Sequence, residues 1–127
     1  MILGLGIDAV DITRIRHWLE NSGLLQRFFH PLELADTRTR GIAAAYSLAA
    51  RFAAKEAYGK ALGTGLKNIT LRNILVTNDS SGKPALTLFD DALAPFRRLQ
   101  GRYIHLSLTH ESNIAIACVI LEGDTPC

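Results

Sequence analysis

The chain opens on an alternating run, Ile2-Leu3-Gly4-Leu5-Gly6-Ile7-Asp8, in which Leu3, Leu5 and Ile7 share one face and Gly4, Gly6 and Asp8 the other. It reads as a buried strand over 2–8, and the two glycines let another element approach the second face closely. A helical pattern over 12–21 carries Ile12, Ile15 and Leu19 as its apolar stripe. A polar, turn-rich connection through His30 and Pro31 follows, with room for helical turns. The segment 42–62 predicts a long helix whose stripe is Leu48, Ala49, Phe52 and Ala53. Glu56, four residues after Phe52 and three after Ala53, continues that stripe and so points toward the protein.

Gly63 and Gly65 break the helix, and strands are predicted over 69–78 and 85–89, joined by the turn signals of Asp79 to Pro84. Residues 90–100 read as a helix that Pro95 interrupts or kinks. Strands over 103–109 and 114–121 make a closing hairpin around His110-Glu111-Ser112-Asn113. Strands bordered by hairpin turns, with helices gathered elsewhere, predict an α+β fold in which an antiparallel sheet packs against the long helix.

At 127 residues, 1–127 reads as one domain, small enough that partner subunits could cover exposed apolar surface. No stretch approaches a membrane span and no secretory signal is visible at the N-terminus, so the expected location is cytoplasmic. Cys118, within an apolar strand, reads as a core filler and Cys127 as a frayed terminal thiol. The net charge of +2, from 14 Lys and Arg against 12 Asp and Glu, lacks the basic excess of a nucleic-acid binder.

A buried carboxylate costs several kcal/mol unless a cation or donors compensate it. Packing the Glu56 stripe over the glycine face would bring Asp8 beside Glu56, and two such carboxylates repel unless a cation sits between them. Oxygen ligands in so small a number favour Mg²⁺, which keeps several waters and completes its shell with substrate phosphates. Two plainer readings stand beside this one: Asp8 or Asp11 as a helix cap, and Glu56 with Lys60 as an ordinary i,i+4 surface pair. The apolar flank of Glu56 favours the site.

Basic residues crowd the first half of the chain, among them Arg14, Arg16, Arg27, Arg38, Arg40, Arg51 and Lys55. Arg14, one turn from Trp18 on the side away from the apolar stripe, makes either a docking face for an acidic protein or a solvated helix face. In the last hairpin Tyr103, His105, Ser107 and Thr109 alternate with apolar residues, and with His110 they suit either a phosphate or ribose contact or structural hydrogen bonding. No zinc spacing occurs, Gly4-x-Gly6 is too short for a dinucleotide fingerprint, and Gly63-Thr64-Gly65 follows a helix where a P-loop precedes one. Gly63 suits a left-handed helix cap, a phosphate-facing turn, or both.

Gly4-Leu5-Gly6-Ile7-Asp8 with Arg14-Ile15, the block Arg51 to Gly65, Gly82-Lys83-Pro84 and His105 to His110 together resemble the signatures of the small bacterial holo-[acyl-carrier-protein] synthases, a type of 4'-phosphopantetheinyl transferase. The likeness spans nearly the whole chain. It departs at His30, where the family commonly has threonine three residues before the glutamate that is Glu33 here.

The resemblance implies transfer of 4'-phosphopantetheine from coenzyme A to a serine of acyl carrier protein, releasing adenosine 3',5'-bisphosphate for fatty acid biosynthesis. It implies a homotrimer with sites at subunit interfaces. Asp8 and Glu56 would hold Mg²⁺, Lys60 would stabilise developing charge, and either Glu56 or a metal-bound water would take the serine proton. Arg51, Lys60, Gly63, Thr64, Gly65, Lys83, Pro84, His105, Ser107, Thr109 and His110 would contribute to the coenzyme A site. Arg14, Trp18 and Arg27 would meet the acidic carrier protein. Two other classes remain open: a coenzyme A binding module, which would not need Asp8 and Glu56 together, and a non-catalytic partner of an acidic helical protein using the Arg14 and Trp18 face alone.

Overall fold

The computed structural model describes residues 1–126, so the terminal thiol expected at Cys127 lies outside the described residues. Strand β1 (Ile2–Asp11) leads into three short helices, α1 (Ile12–Trp18), α2 (Ser22–Phe28) and α3 (Pro31–Arg38). Helix α4 (Ala44–Leu62) follows, then β2 (Ile74–Asn78), β3 (Pro84–Leu88), α5 (Asp90–Arg98), β4 (Gly101–Glu111) and β5 (Ile114–Gly123). The strands form two antiparallel sheets, one of order β1-β5-β4 and a hairpin of β2 with β3. This is the α+β class expected, with two sheets where one was predicted.

Helix α4 packs against β1 and β5, and the glycine face of β1 is what lets it. A Cβ at Gly4 would lie 1.9 Å from the Ala61 carbonyl oxygen, and one at Gly6 would lie 1.9 Å from that of Ala57. No side chain fits there, so the helix backbone rests directly on the strand. Gly63 ends the helix in the left-handed conformation, φ 84°, its N–H donating to the Lys60 carbonyl. The Gly65 N–H then folds back to the Gly59 carbonyl at 3.0 Å.

Thirteen of the nineteen α4 residues are buried, so the helix has no broad solvent face. The predicted stripe of Leu48, Ala49, Phe52 and Ala53 is buried, but so is the side bearing Arg51, Lys55 and Tyr58. That second side is covered by α3, which falls in the stretch read as a turn-rich connection with room for helical turns, and by β2, which falls within the strand expected over 69–78. Lys55 and Glu33 form a wholly buried pair at 2.7 Å. Lys55 Nζ also donates to the Leu71 and Ile74 carbonyls, while Glu33 accepts from the N–H groups of Val76 and His30. Burial pushes Lys55 below the ordinary lysine range, and the Glu33 carboxylate opposes that shift. With every donor and acceptor matched the pair is tolerable; removing one member would cost about 3–5 kcal/mol.

Several local expectations change. The first strand is not buried on both faces: Leu5 and Ile7 are 58% and 56% exposed, because helices cover only the glycine side of this sheet. A bulge between Ile2 and Gly4 takes Leu3 out of their row and against the core. The first helix stops at Trp18, and Asn21 caps a second one by accepting from Leu24. Residues Leu71–Asn73 form a 3-10 turn before β2, and Thr70 and Asn73 bind the Asp91 carboxylate. Helix α5 runs through Pro95 to Arg98. Cys118 is half-buried on the uncovered sheet face, not in the core. Among the described residues no helix is long and apolar enough to cross a membrane.

The glycine contact makes a direct prediction. Gly6→Ala drives a methyl into the Ala57 carbonyl and should lower the unfolding free energy by about 3 kcal/mol, the upper part of the usual overpacking range. Urea denaturation measures it, and an unchanged midpoint would refute the backbone-on-backbone crossing.

Candidate active site

The crossing of α4 over β1 brings three charged side chains together at one end. Asp8, on the same face as Gly4 and Gly6, is mostly covered, with its side chain 16% exposed. Lys60 Nζ donates to Asp8 Oδ1 at 2.9 Å and to the Ile7 carbonyl at 3.0 Å. Its side chain remains 54% exposed, and the third N–H of the ammonium has no acceptor among the described residues. Lys60 therefore pairs with the strand, not with Glu56 one turn before it. Asp11, not Asp8, caps α1, accepting from the Thr13 N–H at 2.9 Å.

Glu56 is half-buried, less enclosed than the apolar stripe suggested. Burial raises its carboxyl above the ordinary glutamate range and the nearby Asp8 charge raises it further, while Arg14 and Lys60 pull the other way. No hydrogen bond or ion pair to Glu56 occurs among the described residues. Two neighbouring carboxylates, one of them without a bonded partner and only partly offset by Arg14 and Lys60, are a donor set of hard oxygens. No group of three or more His, Cys, Asp or Glu side chains suited to a metal occurs among the described residues, so an ion at this pair would draw most of its shell from water or ligand.

Arg14 reaches the same place from α1. Its guanidinium lies over the rings of Trp18 and Phe52, 5.3 Å from each centroid, so it is held by aromatic faces and is not a free surface charge. Trp18 meets Phe52 edge-on at 5.0 Å and tilts against Phe28 at 5.1 Å, and Arg27 lies over Phe28. The three predicted docking residues thus share one aromatic-backed patch.

The other predicted residues divide. Arg51 is buried, bonded to Asp36 and to the Glu33 carbonyl. It lines a cavity of about 210 Å³ with Arg40, Tyr46, Asn78 and His110, whose ring lies 5.3 Å from that of Tyr46. Thr64 and Gly65 follow the end of α4, and Lys83 and Pro84 lie at the β2–β3 turn, where Asp79 Oδ1 accepts from the Lys83 N–H. His105, Ser107 and Thr109 sit across from Ile120, Cys118 and Ile116, in register with Leu5, Ile7 and Ala9. They occupy the uncovered sheet face, opposite to Asp8, and no single site in one chain gathers both sets. His105 is bonded to Glu122 at 2.7 Å.

Sequence reasoning missed Glu33, Asp36 and Glu122. A signal existed for Glu33 alone: three residues after His30 with Pro31 between, it completes a capping box in which His30 Nδ1 accepts from the Leu32 N–H. The histidine that departs from the family pattern thus caps α3, a task that a threonine side chain can also perform.

Residues 4–119 match the family described as the 4'-phosphopantetheinyl transferase superfamily. A holo-[acyl-carrier-protein] synthase of Treponema denticola is 54% identical over 97% of this chain and 100% of its own length. The chain belongs to the holo-[acyl-carrier-protein] synthase family of 4'-phosphopantetheinyl transferases. Its fold is similar to the crystal structure of the synthase from Neisseria meningitidis, with TM-score 0.86 and 33% identity over 96% of this chain and 99% of that one. It is also similar to a holo-(acyl-carrier-protein) synthase from Bacillus anthracis in complex with CoA (3',5'-ADP), with TM-score 0.82 and 35% identity over 98% and 99%. The resemblance read from the signature blocks is borne out across the chain.

The strained carboxylate has a thermodynamic signature. A folded-state value raised above the unfolded one makes ionised Glu56 a cost that is absent below the ordinary glutamate range and grows as pH rises through the folded value. In EDTA, Glu56→Gln should therefore raise the thermal midpoint at pH 7, and the gain should vanish toward pH 4. A difference independent of pH would remove burial beside Asp8 as the cause.

Proposed function

We propose that this chain transfers the 4'-phosphopantetheine arm of coenzyme A to a serine hydroxyl of acyl carrier protein, releasing adenosine 3',5'-bisphosphate in support of fatty acid biosynthesis. The meeting of Asp8, Lys60 and Glu56 at the glycine crossing carries the reading, within a family whose relatives are named for it. The serine oxygen forms a bond to the pantetheine-side phosphorus, the phosphoanhydride P–O bond breaks, and the serine proton leaves to a base.

The pair Asp8 and Glu56 fits Mg²⁺, since two hard carboxylates, one of them without a bonded partner, suit an ion that keeps several waters. When bound, that ion would neutralise charge on the pyrophosphate oxygens. Lys60, fixed by Asp8 and the Ile7 carbonyl, offers its remaining N–H to the leaving bisphosphate as a point charge. Glu56 is the side chain of this chain placed to accept the serine proton, with a water beside it as the other acceptor. Arg51, Gly63, Thr64, Gly65, Lys83, Pro84 and His110 belong to the coenzyme A site in this reading. The patch of Arg14, Trp18 and Arg27 docks the acidic carrier, its charges backed by aromatic surface. The proposed location is the cytoplasm.

A homotrimer completes the proposal. His105, Ser107 and Thr109 lie on the far side of the sheet from Asp8, on a face where Leu5, Ile7 and Ile114 are 58%, 56% and 44% exposed. If that apolar face packs against the next copy around a closed ring, each copy's β4 edge reaches the neighbour's Asp8 side, and every site draws on two chains.

Mass spectrometry of an apo carrier protein incubated with coenzyme A and Mg²⁺ tests the reading: wild type adds the phosphopantetheine mass to a serine, and Glu56→Gln, still folded, slows transfer at least a hundredfold. Turnover of that variant within tenfold of wild type would take Glu56 out of the chemistry. Ile7→Asp, pointing away from Asp8, should yield a smaller species in sedimentation and lose most transfer together. Full activity in a dissociated Ile7→Asp protein would contradict a site shared between copies.

A further inference from the structure

The uncovered face of the β1-β5-β4 sheet is apolar along β1 and β5 and polar along β4, and one charged contact crosses that boundary. Glu122 of β5 reaches His105 of β4, with Oε1 2.7 Å from Nε2. The contact is diagonal, since Glu122 stands opposite Tyr103 and Ile2 while His105 stands opposite Ile120. Exposed pairs of this kind contribute little to stability, so a stability role gives no account of a carboxylate on a face whose neighbours are Ile2, Leu5 and Ile120.

The hydrogen-bond chemistry gives one. An ionised carboxylate only accepts, so His105 Nε2 carries the proton and donates it, and Nδ1 is the nitrogen left for a ligand. The contact also holds the ring plane against rotation, as carboxylates do for histidines that bind metals. A phosphate oxygen likewise only accepts, and Nδ1 donates to it when the ring carries both protons.

We propose that Glu122 is a positioning residue for the transfer, fixing the His105 ring so that Nδ1 faces an anionic oxygen of coenzyme A in the neighbouring copy's site. This rests on the reading that His105 touches the cosubstrate. Glu122 itself touches no substrate; it acts through the imidazole. The adjacent ion pair Arg102–Asp124, 3.1 Å long and more exposed, is a built-in control because Arg102→Ala breaks an exposed ion pair at the same sheet end without touching His105, which separates loss of any surface pair from loss of support for the ring.

Steady-state transfer to an apo carrier protein, with coenzyme A and carrier varied separately, tests the inference. Glu122→Ala should raise the coenzyme A KM about tenfold, in line with loss of one charge-assisted hydrogen bond, and leave kcat and the carrier KM within about twofold. Glu122→Gln, whose amide oxygen still accepts from Nε2, should restore most of that loss. His105→Ala should match Glu122→Ala, the double variant should be no worse than either, and Arg102→Ala should equal wild type. Multiplying single effects, a Glu122→Gln as impaired as Glu122→Ala, or an Arg102→Ala that mimics Glu122→Ala would overturn the positioning role. A His105→Ala with unchanged coenzyme A KM would overturn it while leaving the transfer reading intact, and absence of transfer by wild type would instead sink that reading.

Discussion

Helix α4 and strand β1 meet backbone to backbone, and most of what distinguishes this protein depends on that closeness. The carbonyl oxygens of Ala57 and Ala61 occupy the space where side chains would stand on Gly6 and Gly4. A strand with any side chain there would hold the helix off by the width of that side chain, and the ridge bearing Glu56 and Lys60 would no longer lie over Asp8. The same approach lets Lys60 take both the Ile7 carbonyl and the Asp8 carboxylate, so strand and helix are tied at the end that the proposed chemistry uses.

A helix pressed that closely to a sheet and covered behind by α3 and β2 has few exposed positions, yet α4 carries Arg51, Lys55, Glu56 and Lys60. Each is handled differently. Lys55 is fully enclosed and fully bonded, with Glu33 supplying the opposite charge and two carbonyls the remaining acceptors. Arg51 is satisfied by Asp36, itself shared with Arg40. Lys60 is tied on one side and open on the other. Glu56 alone has no partner among the described residues while burial and Asp8 both work against its charge. A carboxylate with no bonded partner, only partly offset by the Arg14 and Lys60 charges, supports the proposed role of the pair.

The three-stranded sheet has two working faces. One carries α4 and Asp8, and the other carries His105, Ser107 and Thr109 beside an apolar field that the chain leaves open. Alternation along a strand forces this division, because neighbouring residues must point to opposite sides. A site requiring both sets cannot close within one copy, which ties the proposed assembly to the proposed chemistry instead of leaving it a separate property. The diagonal contact from Glu122 to His105 lies at the rim of that open field, where a neighbouring chain and a bound anion would both be within reach.

Much of this was legible in the residues. The glycine-faced strand, the helix ending at Gly63 and the pairing of Asp8 with the Glu56 turn follow from periods of 2 and 3.6 and from the conformational range of glycine, which are properties of local sequence. The capping role of His30 was also written locally, in its spacing from Glu33. Tertiary structure decided what covers each surface. Burial of Lys55 rather than Glu56 depends on α3 and β2 packing behind α4, the exposure of Leu5 and Ile7 on the absence of any layer over that face, and the partner of Lys60 on where β1 lies. Sequence period tells which residues share a side; only the arrangement of distant segments determines whether that side meets protein, a ligand or another copy.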